Sequence, residues 1–141
     1  MKYSIKCPQC ETLMHDEHKK SFTYSSSVGV INVPQMHVMV CPKCKEMMIA
    51  DSEVRRAEGL LAKKVINKKV LSSNDYAFLL HFLGMTAQET AALFEKDKST
   101  VSRWLSGKTP IDPLVKKLIF EMAREAIDGQ NTLREVLNKA I

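Results

Sequence analysis

The chain has 141 residues, 26% of them charged, and a formal net charge of +5, with an isoelectric point near 9.0. That length suits one ordinary domain or two small ones, and the basic lean favours a polyanionic partner without demanding one. No stretch approaches the ~20 apolar residues that a membrane span needs, and the start, MKYSIKCPQC, lacks the apolar run of a signal peptide, so a cytoplasmic protein with no membrane partner is expected.

Composition divides the chain. All four cysteines and most of the methionines precede residue 50, whereas the remainder is rich in Ala, Leu, Lys and Glu. The expected fold class is therefore α+β: a small β-rich domain over residues 1–50, a linker helix over 51–71 and an all-helical domain over 72–141. About fifty residues with few large apolar side chains rarely hold themselves together without disulfides or a metal.

The cysteines supply that clip. Cys7-Pro8-Gln9-Cys10 and Cys41-Pro42-Lys43-Cys44 repeat one Cys-x-x-Cys pattern across a spacer of 30 residues. In a reducing compartment, paired Cys-x-x-Cys motifs point to metal binding or redox catalysis rather than to structural disulfides. Each pair can turn a tight knuckle, fixed by Pro8 or Pro42, and two knuckles complete a four-sulfur tetrahedron. One structural Zn²⁺ per chain is the expected cofactor, with Cys7, Cys10, Cys41 and Cys44 as ligands. A thioredoxin-like redox pair would need a βαβ context that is absent, and a catalytic zinc would need an open position that four thiolates close. His15, His18 and His37 are read as surface or strand residues without a metal role.

Between the knuckles, Phe22, Tyr24, Val28 and Val30 alternate with small or polar neighbours, and Met36, Val38 and Val40 repeat that period of two. Asn32-Val33-Pro34-Gln35 is expected to break the two runs into a zinc-ribbon-like hairpin. Met36, Met39, Met47 and Met48 are expected to fill an irregular small core, the alternative being an adaptable protein-binding surface.

Asp51-Ser52 is the expected N-cap of the linker helix, which carries Val54, Ala57, Leu61 and Val65 on one stripe and a basic opposite face. Ser72-Ser73-Asn74 caps the next helix, with Phe78, Leu79, Phe82 and Leu83 inward. Thr86-x-x-Glu89 reads as a capping box, Asp97 as an N-cap, and Asp112-Pro113 as cap and first residue of a helix with Val115, Leu118, Ile119 and Met122 as its stripe. A last helix places Leu133, Val136 and Leu137 inward. Five helices thus follow the linker.

The second and third of these, over residues 86–106, lie close enough in sequence for a helix-turn-helix, whose second helix enters the major groove of double-stranded DNA. Val101 and Trp104 define a buried side, which leaves Ser99, Ser102, Arg103 and Ser106 opposite. Arg103 suits the bidentate contact to guanine, and short hydroxyls allow close approach. Lys98 and Lys108 are natural phosphate contacts, so the expected DNA-binding set is Lys98, Ser99, Ser102, Arg103 and Lys108. The competing reading is a helical protein-binding bundle in which Arg103 is a solvated charge.

With these cysteine pairs, Val33-Pro34 before the second pair, and TAQETAALFEKDKSTVSRWLSGKTPIDP behind, the chain resembles the MqsA/YgiT-type antitoxins, which join a zinc domain to an Xre/Cro-like helix-turn-helix domain. The resemblance implies a structural zinc, a toxin partner for the N-terminal domain, usually a small ribonuclease, and a homodimer that binds a palindrome in its own promoter. It implies a transcriptional repressor acting as the antitoxin of a type II pair, not an enzyme. Cys7, Cys10, Cys41 and Cys44 match the metal ligands and Arg103 the base-contacting arginine. Ser99 replaces an asparagine of the best-known members and cannot make its bidentate contact to adenine. Glu95 stands where such motifs usually place glycine, and Lys96 where they prefer an apolar residue. One rival is a stand-alone Xre-family regulator whose zinc domain binds another protein or senses metal or oxidant. The other is a thiol oxidoreductase or zinc enzyme tethered to DNA.

Overall fold

The computed structural model describes residues 5–130 and 132–139. It is α+β: a three-stranded sheet in the order β1-β2-β3, followed by six helices. The strands are β1 (His15–Ser26), β2 (Gly29–Val40) and β3 (Met47–Ile49), and the helices are α1 (Asp51–Ile66), α2 (Ser73–Phe82), α3 (Ala87–Leu93), α4 (Lys98–Leu105), α5 (Pro113–Ile127) and α6 (Thr132–Lys139). Two compact units result: Met1–Ser25 with Val30–Glu58, and Ser26–Gly29 with Gly59–Ile141. The division falls inside α1.

The hairpin differs from the sequence expectation. Its turn is at Ser27-Val28, and β2 runs on through Asn32-Val33-Pro34-Gln35 instead of breaking there. Accommodation is local. Gln35 takes a left-handed φ of 55°, and the buried side of β2 changes from Val33 to Met36, Val38 and Val40. An alternation that passes from odd to even has gained one residue, which is a β-bulge. Pro34 fits there because a bulge leaves a backbone N–H unneeded by the ladder.

The guanidinium of Arg56, in α1, satisfies the carbonyls that the bulge turns out of the sheet. It donates to the Pro34 oxygen at 2.8 Å and the Gln35 oxygen at 3.0 Å, and Glu53 holds it at 2.8 Å. β3 pairs antiparallel with β2, setting Val38 opposite Ile49 and Met39 opposite Met48. Of the methionines expected inside, Met36 is buried, whereas Met47 and Met48 are 41% and 38% exposed on this edge strand.

Ala50, not Asp51-Ser52, starts α1: its carbonyl accepts from the Glu53 and Val54 N–H groups. Asp51 and Glu53 then lie in the first turn, where carboxylates complement the helix dipole. Ala57, Leu61, Ala62 and Val65 form its buried stripe.

In the second unit, α2 packs on α4 and α5, α3 on α4, and α5 on α6. Phe78, Leu79, Leu80, Val101, Trp104, Val115, Ile119 and Met122 are buried among them. Ser72 and Asp75 make a full capping box on α2, and Asp112 caps α5 ahead of Pro113. Thr86 caps α3 through the Glu89 N–H at 3.1 Å, but the Glu89 carboxylate takes the Thr86 hydroxyl rather than a backbone N–H. Asp97 occupies the N-cap of α4 without a side-chain bond.

The last helix also departs from expectation. No residue of α6 is buried, and Val136 is 57% exposed. Polar contacts dock α6 instead: Arg134 donates to the Leu83 carbonyl at 2.8 Å, and the Glu125 carboxylate accepts from the Leu133 N–H at 3.0 Å. These bonds fix the helix rotation, and that rotation turns Val136 to solvent.

Two expected outcomes follow from these contacts. Arg56→Ala leaves two exposed bulge carbonyls to water and should cost about 0.5–1.5 kcal/mol in chemical denaturation, with Arg56→Lys recovering only part because an ammonium cannot fork to both. Burial alone would raise the Asp75 carboxyl, yet the Lys68 ammonium at 2.8 Å and the Ser72 N–H and hydroxyl outweigh it and hold the group below its ordinary value. The carboxylate therefore adds stability above the unfolded carboxyl's pKa of about 4, and loses it as pH falls through the lower folded value. Acid titration of melting temperature should show a shallower loss below about pH 4 in Asp75→Asn than in the parent.

Candidate functional site

The two knuckles are built alike. In the first, the Cys7 carbonyl accepts from the Glu11 N–H at 2.9 Å and the Cys7 N–H donates to the Thr12 carbonyl at 2.8 Å. In the second, the Cys41 carbonyl accepts from the Lys45 N–H at 3.0 Å and the Cys41 N–H donates to the Glu46 carbonyl at 2.9 Å. Glu11 and Lys45 close the loops with left-handed φ values of 61° and 66°. Backbone N–H groups of Gln9 and Cys44 approach the sulfurs of Cys7 and Cys41 at 3.4 and 3.5 Å. Such donors stabilise thiolates.

The knuckles converge on one point. Sulfur separations are 3.4 Å for Cys7–Cys44, 3.5 Å for Cys10–Cys41 and 3.7 Å for Cys10–Cys44, and all four sulfurs lie within 4.8 Å of one another. A tetrahedron with metal–sulfur bonds of ~2.3 Å has edges of about 3.8 Å. The four cysteines are free thiols, set further apart than the ~2.05 Å of a disulfide. The arrangement can hold a metal ion. Cys7, Cys41 and Met14 are buried together, with Ile5, Cys10 and Met39 packed against them, so the ligands are also core.

Electrostatics points the same way. The Thr12 side chain and backbone lower the Cys10 thiol to about 6, and the Cys44 N–H helps lower Cys41. For Cys44 the Glu46 backbone pulls downward, but the crowding sulfurs of Cys7, Cys41 and Cys10, with burial, push it up to about 12. Four sulfurs this close do not all shed protons without a compensating positive charge, and a dication supplies it.

Histidines stay outside the cluster. His15 pairs with Glu17 at 3.2 Å, His37 lies 3.5 Å from Asp16, and the His18 and His37 rings meet at 4.9 Å. Among the described residues, only the four cysteines gather three or more metal-ligating groups. Thr12, missed by sequence reasoning, stands two residues after Cys10 and bonds its sulfur at 3.3 Å.

A second surface is set by α3 and α4. Glu95, in the turn between them, adopts a left-handed φ of 54°, and the Lys96 N–H returns to the Ala91 carbonyl at 2.8 Å. The turn has the conformation glycine favours, carried by a glutamate. Ala91 is buried where the helices meet, and Val101 and Trp104 are buried beneath α4. Lys98, Ser99, Ser102, Arg103 and Ser106 are exposed, as is Lys108 beyond the helix. Arg103 donates to the Thr100 hydroxyl at 3.3 Å, which orients the guanidinium along the helix.

A model of the MqsA family, described as the antitoxin component of a bacterial toxin–antitoxin system, matches residues 5–126 and so spans both knuckles, α1 to α4 and all but the last residue of α5. The chain belongs to the MqsA antitoxin family. Its class is therefore that of antitoxins, proteins whose partner is a toxin. No individual curated protein matches the sequence.

Elemental analysis of the purified chain is expected to find one metal ion bound. Chelation should then render four thiols reactive and lower the melting temperature, and Cys41→Ser should lower it without chelator, because the replaced ligand is fully buried.

Proposed function

We propose that the chain is an antitoxin that neutralises its toxin through a zinc-clipped N-terminal domain and represses its own operon by binding DNA through α4. In this reading residues 1–50 form the zinc domain, 51–71 a linker helix and 72–141 a helix-turn-helix domain. It is a regulator, not an enzyme. The metal is one Zn²⁺ per chain on Cys7, Cys10, Cys41 and Cys44, a choice supported by the all-thiolate donor set at tetrahedral spacing. Zinc there supplies no reaction; it holds the two knuckles together.

The observation that carries the DNA reading is the two-sidedness of α4. Val101 and Trp104 are buried while Ser99, Ser102 and Arg103 share the opposite, exposed face of the same helix, with no carboxylate between Lys98 and Lys108. Lys98 and Lys108 are positioned for phosphates, and Arg103 for guanine O6 and N7 in the major groove of double-stranded DNA. A homodimer would present two such helices to the half-sites of a palindrome, about 34 Å apart. The incompletely buried apolar residues of α6, Leu133, Val136 and Leu137, favour a second copy as the dimer partner. A toxin of the small-ribonuclease type is the proposed partner of the N-terminal domain, as the family resemblance implies.

Arg103→Ala is expected to weaken specific binding by about 1–3 kcal/mol and to flatten preference at one base position. Gel-shift titration against the gene's own promoter and against random duplex checks this, and equal loss on both would sink the assignment. Co-expression with the product of the adjacent reading frame should yield a stable complex, whereas a stand-alone regulator would leave that product unbound.

A further inference from the structure

Next to α4 lies a cleft of which the proposed function uses only Lys108. Its volume is about 330 Å³, and its walls are the start of α2, the α4–α5 loop and the first turn of α5. Lys108 and Lys116 line it, with the hydroxyl-bearing Ser73, Tyr76 and Thr109. No carboxylate lines it. Two acidic residues near its walls are engaged elsewhere: Asp75 by Lys68 and the Ser72 N–H, and Asp112 by the Leu114 N–H. Ser73 is the first residue of α2, whose N-terminus is already closed by the capping box of Ser72 and Asp75. The lining is thus cationic, with hydroxyl-bearing residues beside the lysines, and it fits a phosphate group.

The walls are held by close backbone approach. Gly107 has a left-handed φ of 80°, and a Cβ there would come within 3.1 Å of the Ser73 Oγ. From it the loop folds back onto α4, where the Arg103 carbonyl accepts from the Lys108 N–H at 3.0 Å and the Thr109 N–H at 3.3 Å. The cleft is thus bonded directly to the backbone of the residue proposed to read a base.

We propose that this cleft seats a phosphate of the DNA backbone, held by Lys116 and Lys108 with the Ser73 and Thr109 hydroxyls. The proposal rests on the DNA-binding reading of α4. It adds Lys116, Ser73 and Thr109, from three separate elements, to the DNA-contacting set.

The test uses the full-length chain and a duplex selected by the protein from a random pool. Each phosphate contact contributes about 0.9 to the slope of log K against log salt concentration. Lys116→Gln should lower that slope by about one, weaken selected and random duplexes by a similar factor, and leave base preference intact, while Lys116→Arg should restore the slope. Walking a single neutral methylphosphonate linkage along the duplex should find one position that weakens the parent protein and not Lys116→Gln. An unchanged slope in Lys116→Gln, with Arg103→Ala still losing base preference, overturns the cleft and leaves the reading of α4 standing. A parent protein that binds no duplex overturns both. If inorganic phosphate alone raises the melting temperature of the parent but not of Lys116→Gln, and the DNA slope is unchanged, the cleft is a free-anion site and the backbone assignment fails.

Discussion

Four sulfurs within 4.8 Å of one another set the condition on which the N-terminal unit rests. Thiols so placed resist joint ionisation, in keeping with the opposed shifts of Cys10 and Cys44, and a dication eases the conflict by binding all four sulfurs at once. The demand is structural as well as electrostatic. Cys7 and Cys41 are among the most buried side chains of the described residues, and Met14 joins them in a small cluster of a unit of about fifty residues, a size that usually needs a metal or disulfides. The duplicated bonds of the two knuckles, cysteine carbonyl to the fourth residue on and cysteine N–H to the fifth carbonyl on, show one local solution used twice.

Sequence spacing reveals such a solution because it is local. Cys-Pro-x-Cys states its own loop, and Ser72, Thr86 and Asp112-Pro113 state helix starts within one turn. The same logic explains the failures. Pro34 looked like a strand breaker because its missing N–H is a local signal. What keeps β2 continuous is a guanidinium from another element, 22 residues on in the chain, bonding the carbonyl of that proline. Likewise α6 has a stripe that reads as inward-facing, yet its rotation is set by Arg134 reaching the Leu83 carbonyl and by Glu125 capping Leu133, neither of which periodicity encodes.

In the helical unit, legibility stops at the level of the single helix. Val101 and Trp104 announce the buried side of α4, and the exposure of Ser99, Ser102 and Arg103 follows at 100° per residue. Glu95 was a departure from the expected glycine, and its left-handed φ shows that the turn keeps the glycine conformation and bears the strain of a side chain. Lys116 carried no signal at all. It lies eight residues beyond Lys108 on a different element, and only the packing of α2 against α4 and α5 brings Ser73, Lys108 and Lys116 to one cleft.

The two units therefore differ in what holds them folded. A bound structural metal contributes on the order of 10 kcal/mol to a small site, comparable with the entire stability of an ordinary domain. In the cysteine-bearing unit, Cys7 and Cys41 are buried beside a short apolar set that includes Met14, Val33, Met36 and Val38, so a bound metal would be a large part of its support. In the helical unit Leu79, Val101, Trp104, Ile119 and Met122 are buried without help from any metal ligand. Under the proposed function, the surface that meets the toxin exists only while the metal is bound, whereas the surface that reads DNA is set by apolar packing and helix caps. Metal loss would thus remove toxin neutralisation first, and the α4 face, built from residues that never contact the metal, would persist. A chain divided in this way can lose one partner without surrendering the other, which is the physical content of having two cores instead of one.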